Sequence, residues 1–287
     1  MKNKINPVGW LILMSSLLLT GCQLTEEKTL DSSLLPEGSR IKNLHTGETL
    51  TPQALMLTLS HQPMVIVGEE HTNVAHHNIE LWLLKNMQKQ RPQGSVLMEM
   101  LAENQQPLVS ALQQDFQRGE TRSARQTQQK LDWNPGWPWQ LYGELVTTAL
   151  QSNAPLLSAN ITRARISDIY RHPTFPAGNN STAPPVHHAL SAIILTMHGG
   201  EMTPEQLNAM LAIQQNRDRF MAQQLLHAPR PALMFVGGFH AAKQIGVPLH
   251  MADLNGDRPT VLMLSSPGSE ISVSQADYVW SVAGPEK

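Results

Sequence analysis

Residues 64–71 read Met64-Val65-Ile66-Val67-Gly68-Glu69-Glu70-His71, four apolar residues followed at once by a glycine, two acids and a histidine. The apolar run is too continuous for a strand with one wet face, so it reads as a strand buried on both faces. Strands of that kind belong to parallel sheets covered by helices on both sides. In open sheets of this class ligands sit beyond the carboxyl ends of the strands, and a glycine there lets the chain turn sharply. The polar residues from Gly68 to His71 therefore fall where chemistry is expected.

The same pattern recurs along the chain, in Val96-Leu97-Met98, Leu156-Leu157, Leu233-Met234-Phe235-Val236 and Val261-Leu262-Met263-Leu264. Between these runs the apolar spacing turns helical over 73–89 and over 105–116. A third helix opens at Thr203-Pro204-Glu205-Gln206, with Thr as cap, Pro at the first helical position and Gln three residues after the cap. Strands alternating with helices predict an α/β fold with a central, mainly parallel sheet and flanking helices. No strand signal appears between His187 and His227, so residues 185–228 are expected as a helical subdomain insertion. Residues 172–185, rich in Pro, Gly and Asn, form the clearest internal loop.

At the other end of the argument stands Cys22, the single cysteine. It closes Leu19-Thr20-Gly21-Cys22, behind an apolar stretch that starts near Val8 and follows Lys2 and Lys4. A basic start, a short apolar run and small residues before a cleavage point make a secretory signal. The run is shorter than the ~20 residues a membrane-spanning helix needs. Its last residues resemble the bacterial lipobox, which implies lipidation of Cys22 and a mature chain that begins there. The expected organisation is a lipoprotein signal over 1–21, a polar tether over 22–39 and a folded domain over 40–287. Gln23, in place of Asp after the cysteine, resembles the signal for release to the outer membrane.

Composition narrows the partners. Lys and Arg number 21 against 23 Asp and Glu, a formal net charge of −2, and no basic run is present to follow a phosphate backbone; nucleic acid is excluded as a ligand on that ground. Lipidation of Cys22 leaves no thiol for a disulfide, so stability outside the cytoplasm rests on packing. The unusual entries are 12 histidines and 6 tryptophans, which suggest a metal or an iron-containing ligand.

Two more strand ends carry chemistry like that of His71. Val96-Leu97-Met98 is followed by Glu99, and the run ending at Val236 is followed by Gly237-Gly238-Phe239-His240. If these strands are neighbours, Glu69, Glu70, His71, Glu99 and His240 meet at one edge of the sheet. Such a set can bind a divalent metal, or use a carboxylate as base beside a histidine. It can equally consist of helix caps and satisfied loop-end histidines. A catalytic reading would employ Glu70, His71, Glu99 and His240.

The ordered segments VIVGEEHTNVAHHNIELWLL, VLMEMLAENQQP, DWNPGWPWQLYGEL and LMFVGGFHAAKQIGVP, behind a lipobox, resemble the ChaN family of iron-regulated lipoproteins. That family is grouped with the Tiki proteases and TraB-like proteins, which share a Gly-x-x-His element after a strand and a later histidine in a glycine-rich turn. Gly68 to His71 and Gly238-Phe239-His240 match these elements, and the resemblance to the wider group implies, as the alternative function, a metal-dependent hydrolase or peptidase using His71, Glu99 and His240. The resemblance implies haem as the bound ligand, held between the protomers of a homodimer at the cell envelope. It also implies a tyrosine ligand to iron and a haem receptor or transporter as the hand-over partner.

Of the three tyrosines, Tyr142 lies in the segment that matches the family's aromatic motif. A phenolate suits ferric iron, and Trp133, Trp137 and Trp139 would cover the porphyrin face. The alternative is a helix that buries its aromatics against the sheet, with the Tyr142 hydroxyl merely hydrogen-bonded. His198, at the end of the apolar run 189–197 and before two glycines, is expected as the second iron ligand, although a helix C-terminus favours histidine by its dipole alone. The absence of Cys-x-x-Cys-His excludes covalent haem attachment.

Overall fold

The computed structural model describes residues 32–283. The signal segment and Cys22 lie outside the described residues. In chain order the elements are β1 (Arg40–Asn43), β2 (Thr49–Leu50), α1 (Pro52–Ser60), β3 (Met64–Glu69), α2 (Val74–Gln90), β4 (Ser95–Ala102), α3 (Gln106–Gln117), α4 (Ala124–Leu131) and α5 (Trp139–Gln151). They continue with β5 (Leu156–Asn160), α6 (Arg163–Arg171), α7 (Pro184–Met197), α8 (Pro204–His227), β6 (Ala232–Gly237), the single turn α9 (Gly238–Ala241), α10 (Val247–Asp253), β7 (Thr260–Ser265) and β8 (Tyr278–Ser281).

The strands form one eight-stranded sheet in the order β2-β1-β8-β7-β3-β6-β4-β5. Pairs from β8 to β5 are parallel, and only β1 runs antiparallel to β2 and β8. The expected α/β architecture, mainly parallel and flanked by helices, is the observed one. Every residue of β3 and β6 is buried, as a strand covered on both faces requires.

Alternation along the strands divides the core into two layers. Met64 and Ile66 of β3, Met234 and Val236 of β6 and Val261 and Met263 of β7 pack with Leu190 and Ile194 of α7, Met221 and Leu225 of α8 and Met251 of α10. Val65, Val67 and Glu69 point to the other face, where α2 packs against α1 and α5. The region between His187 and His227 is helical, as α7 and α8. Asn73 caps α2 through its side-chain oxygen, and the Thr203 capping box with Gln206 opens α8. Among the described residues no helix is long and apolar enough to cross a membrane.

The layout creates a switch point. From β3 the chain crosses over β6 to reach β4, whereas from β6 it crosses back over β3 to reach β7. Adjacent strands whose connections leave in opposite directions open a crevice at their carboxyl ends. Glu69 and Gly237, register partners, stand at that crevice. Gly68 is needed there for close approach: a Cβ would stand 2.5 Å from that of Ala241 and 2.8 Å from the Met263 sulfur.

Candidate functional site

Two buried carboxylate–imidazole groups meet at the crevice. On the α5 side, Glu69 Oε1 accepts from His71 Nδ1 at 2.6 Å and from the Tyr142 hydroxyl at 3.0 Å. The His77 ring, 4.4 Å from that of Tyr142, also bonds to Glu80 at 3.2 Å. On the α8 side, His240 Nδ1 meets Asp218 at 2.6 Å and its Nε2 meets Glu99 at 3.3 Å. Glu99 Oε2 accepts from the Gly237 amide at 2.8 Å. His71 joins the groups, since a Cβ on Gly237 would stand 2.7 Å from its ring and 3.5 Å from Glu99 Oε2. Gly237 thus keeps open the space the imidazole occupies.

The strand alternation explains the two sides. Glu69 continues the 65, 67, 69 face of β3 toward α5, and Glu99 follows Leu97 on the β4 face that packs against α8. Asp218 is held at 0 % exposure within α8, so His240 sits between two buried acids.

The charges follow from this packing. Burial opposes a charged His240, but the Glu99 and Asp218 carboxylates outweigh it and push its pKa up to about 10. Burial likewise opposes an ionised Glu99, but His240, His71 and the Gly237 N–H hold its carboxyl far below the ordinary range. His71 is raised as well, burial being overcome by Glu69 and Glu99. Burial and then Glu69 push the Tyr142 phenol well above its ordinary value, so it is protonated as placed. Burial raises Glu80 to about 7 against the opposing pull of His77.

A pH dependence follows from linkage. The His240 contribution is fully present below its ordinary 6.5 and is lost as pH rises through about 10. The Glu99 contribution is present above its ordinary 4.5 and is lost as pH falls below it. Stability should therefore be greatest between pH 4.5 and 6.5 as far as this pair is concerned. Thermal midpoints across pH 3–10.5 on the wild type and on His240→Ala check this, because only the wild type should lose stability through His240 on the alkaline side.

Beside these groups opens a cleft of about 530 Å³, within the ~300–1,000 Å³ of small-molecule sites. Its walls are the end of β4 with Glu99, the 132–137 loop with Trp133 and Trp137, the β5–α6 junction with Arg163, and Arg217 of α8. Glu99 is common to the cleft and the cluster, and Trp137 lies against the group on the α5 side. Its ring lies 4.8 Å from that of His71 and 5.6 Å from that of Tyr142.

The structure sorts the expected residues. His71, Glu99 and His240 do converge. Glu70 does not: its exposed carboxylate turns to the Ser266 hydroxyl at 2.5 Å, and Glu69 holds the place assigned to it in the catalytic set. The reason is parity, since successive strand residues face opposite ways. Among the described residues no group of three or more His, Cys, Asp or Glu is arranged to hold a metal ion. Both His240 nitrogens bond to acids. His71, with its side chain 41 % exposed and its Nδ1 fixed by Glu69, is placed for proton transfer at Nε2.

Tyr142 is fully buried under Trp137 and donates to a carboxylate, not to a backbone carbonyl as its primary partner. His198 ends α7, exposed, with Nδ1 bonded to the Ile194 carbonyl at 2.8 Å. The contacts of Tyr142 and of His198 share no residue. Sequence reasoning missed Asp218, Arg163 and Arg217; the last two bear only on the cleft, and Asp218 sits in the polar run Gln214–Arg219, where nothing marks it as buried.

Fold and site together define an α/β protein with a buried acid–imidazole cluster beyond the carboxyl ends of β3, β4 and β6, beside a cleft lined in part by tryptophan. The chain belongs to the ChaN family of haem-binding uptake proteins in the Tiki superfamily, whose profile matches residues 55–251. It is similar to ChaN of Campylobacter jejuni, solved with cofacial haem, at 28% identity and a TM-score of 0.77 over 84% of this chain and 96% of that one. More distant likenesses are the type III effector HopBA1, at 13% identity and TM-score 0.46 over 82% and 94%, and the erythromycin esterase EreC, at 12% and 0.46 over 84% and 81%. No curated protein matches the sequence.

Proposed function

We propose that this chain is a haem carrier of the cell envelope, acting in iron acquisition. The observation that carries the reading is the family match over 55–251 together with the likeness to a haem-binding ChaN. The lipobox-like segment ending at Cys22 supports a lipid anchor, and Gln23 supports an outer-membrane location facing the periplasm. Cofacial binding in this chain would set two haems face to face, and a homodimer is the assembly that supplies such a pair. Haem is taken from, or passed to, a receptor or transporter.

In this reading haem docks at the cleft beside Trp133 and Trp137. Tyr142, its ring 5.6 Å from that of Trp137, would hold ferric iron through its phenol oxygen, and Glu69, at 3.0 Å, is placed to take the phenol proton. His198, remote in its contacts from the Tyr142 cluster, serves as second ligand only from the second copy in the dimer. Its exposed ring next to Met197, which is 65% exposed, suits such a contact.

Haemin titration tests the reading. The wild type should give a saturable Soret band and shift toward dimer in light scattering as haem is added, and His198→Ala should weaken the shift. A chain that gave no saturable band would sink the carrier reading, and chelator-sensitive hydrolase or peptidase activity dependent on His71 would then favour the alternative.

A further inference from the structure

We infer that Arg217 anchors a propionate of the bound porphyrin at the inner wall of the cleft. The inference rests on the haem reading above and adds the recognition of the carboxylate edge of the ligand.

Arg217 projects from α8 into the cleft. Among the described residues its guanidinium makes no hydrogen bond and no ion pair, and its Nε is buried without an acceptor. Nearby cations are occupied: Arg219 pairs with Asp253 at 3.4 Å and also bonds to His250, and Arg163 bonds to Asn134 Oδ1. A buried N–H that lacks an acceptor is costly, so Arg217 stands as a donor fork waiting for an anion.

The carboxylate in the cleft wall does not fill that need. Glu99 has one oxygen on His240 at 3.3 Å and the other on the Gly237 amide at 2.8 Å. Both Glu99 oxygens therefore already have donors. Asp132, the other acid of the lining, is exposed on the loop.

The remaining wall combines apolar side chains with polar ones such as Gln105 and Asn160. Trp133, Trp137, Ile161 and Ile166 line it. A ligand that satisfies both parts has a broad apolar body and an ionised carboxylate at its edge. A guanidinium pairs with a carboxylate through two parallel N–H···O bonds, a geometry that lysine does not reproduce. A porphyrin dicarboxylate meets these requirements, with the ring against the indoles and one propionate on Arg217.

The test uses metal-free protoporphyrin IX, so that iron ligation plays no part, compared with its dimethyl ester in the same detergent buffer. Binding is read by quenching of tryptophan fluorescence. The wild type should prefer the free acid by about tenfold or more, the scale of a hydrogen bond to a charged group. Arg217→Gln should lose most of that preference, binding the acid about as weakly as the wild type binds the ester. Arg217→Lys should keep part of it. Since Arg217 bonds to nothing in the protein, melting curves of all three should coincide. Equal preference for the acid in wild type and Arg217→Gln would overturn the inference. A haemin titration of the wild type, run alongside, separates the two claims. A saturable band with unchanged preference removes Arg217 alone, whereas no band and no quenching removes the haem reading and the anchor with it.

Discussion

Replacing His240 with alanine should lower the unfolding midpoint more than any other single change at the site. The imidazolium lies between Asp218 and Glu99, both at most 1% exposed, and its removal leaves two ionised carboxylates facing each other out of water. Breaking a buried ion pair by deleting one partner costs about 3–5 kcal/mol. The loss is electrostatic, so neutralising the acids should restore part of it. Glu99→Gln in the His240→Ala background is expected to be more stable than His240→Ala alone, although Glu99→Gln in the wild type is destabilising. Thermal melts of the four proteins at pH 7 measure this coupling. Additive effects of the two substitutions would show that His240 and Glu99 do not depend on each other.

The largest functional effect is expected from Tyr142→Phe. The ring and its packing against His77 and Trp137 stay, and the only atom able to bind iron goes. Removing a residue that supports a metal ligand costs roughly 10–100-fold in affinity, so loss of the ligand itself should exceed about 100-fold. Stability should fall by only about 1.5–3 kcal/mol, the value of a hydrogen bond to a charged group, because Glu69 keeps its bond to His71 at 2.6 Å. The dimer responds too. A ligand that binds the dimer better than the monomer drives dimerisation by the same free energy, so haem should raise the dimer fraction much less in this variant. An unchanged haem spectrum in Tyr142→Phe would move the iron elsewhere, and a wild-type complex that stayed monomeric at haem saturation would remove the bridging arrangement.

What the sequence displayed were features set by local chemistry. The continuous apolar runs became β3 to β7 because such runs have no other place than a doubly covered sheet. The Thr203 box and the Asn73 cap appeared where their side chains dictate. The strands β1 and β8, next to the β2 edge of the sheet, gave no such sign. Only Ile41 of β1 is buried, and β8 depends on β7 and β1, far away in the chain, for its partners. At the site, His71, Glu99 and His240 were visible as polar residues closing apolar runs. Their partners were not: Asp218 is one acid in a polar helical stretch, and its burial is decided by where α8 lies across the sheet. The choice of Glu69 over Glu70 was within reach of strand parity. The sheltering of Tyr142 by Trp137 depends on how the 132–137 loop folds back, which no spacing encodes.

The strand order also governs when the molecule can fold. The central strand β3 ends at residue 69, yet its two neighbours span 232–237 and 260–265. A chain emerging from its N-terminus thus carries its future centre unpaired until more than two-thirds of its length has appeared. β1 finds β2 within a few residues but waits longer still for its other partner, at 278–281. Long-range parallel pairing of this kind folds slowly, since the entropy of closing large loops is lost before the contacts that offset it form. A nascent chain that stays open until its last segments arrive is well suited to being threaded, unfolded, through a narrow channel before it takes shape.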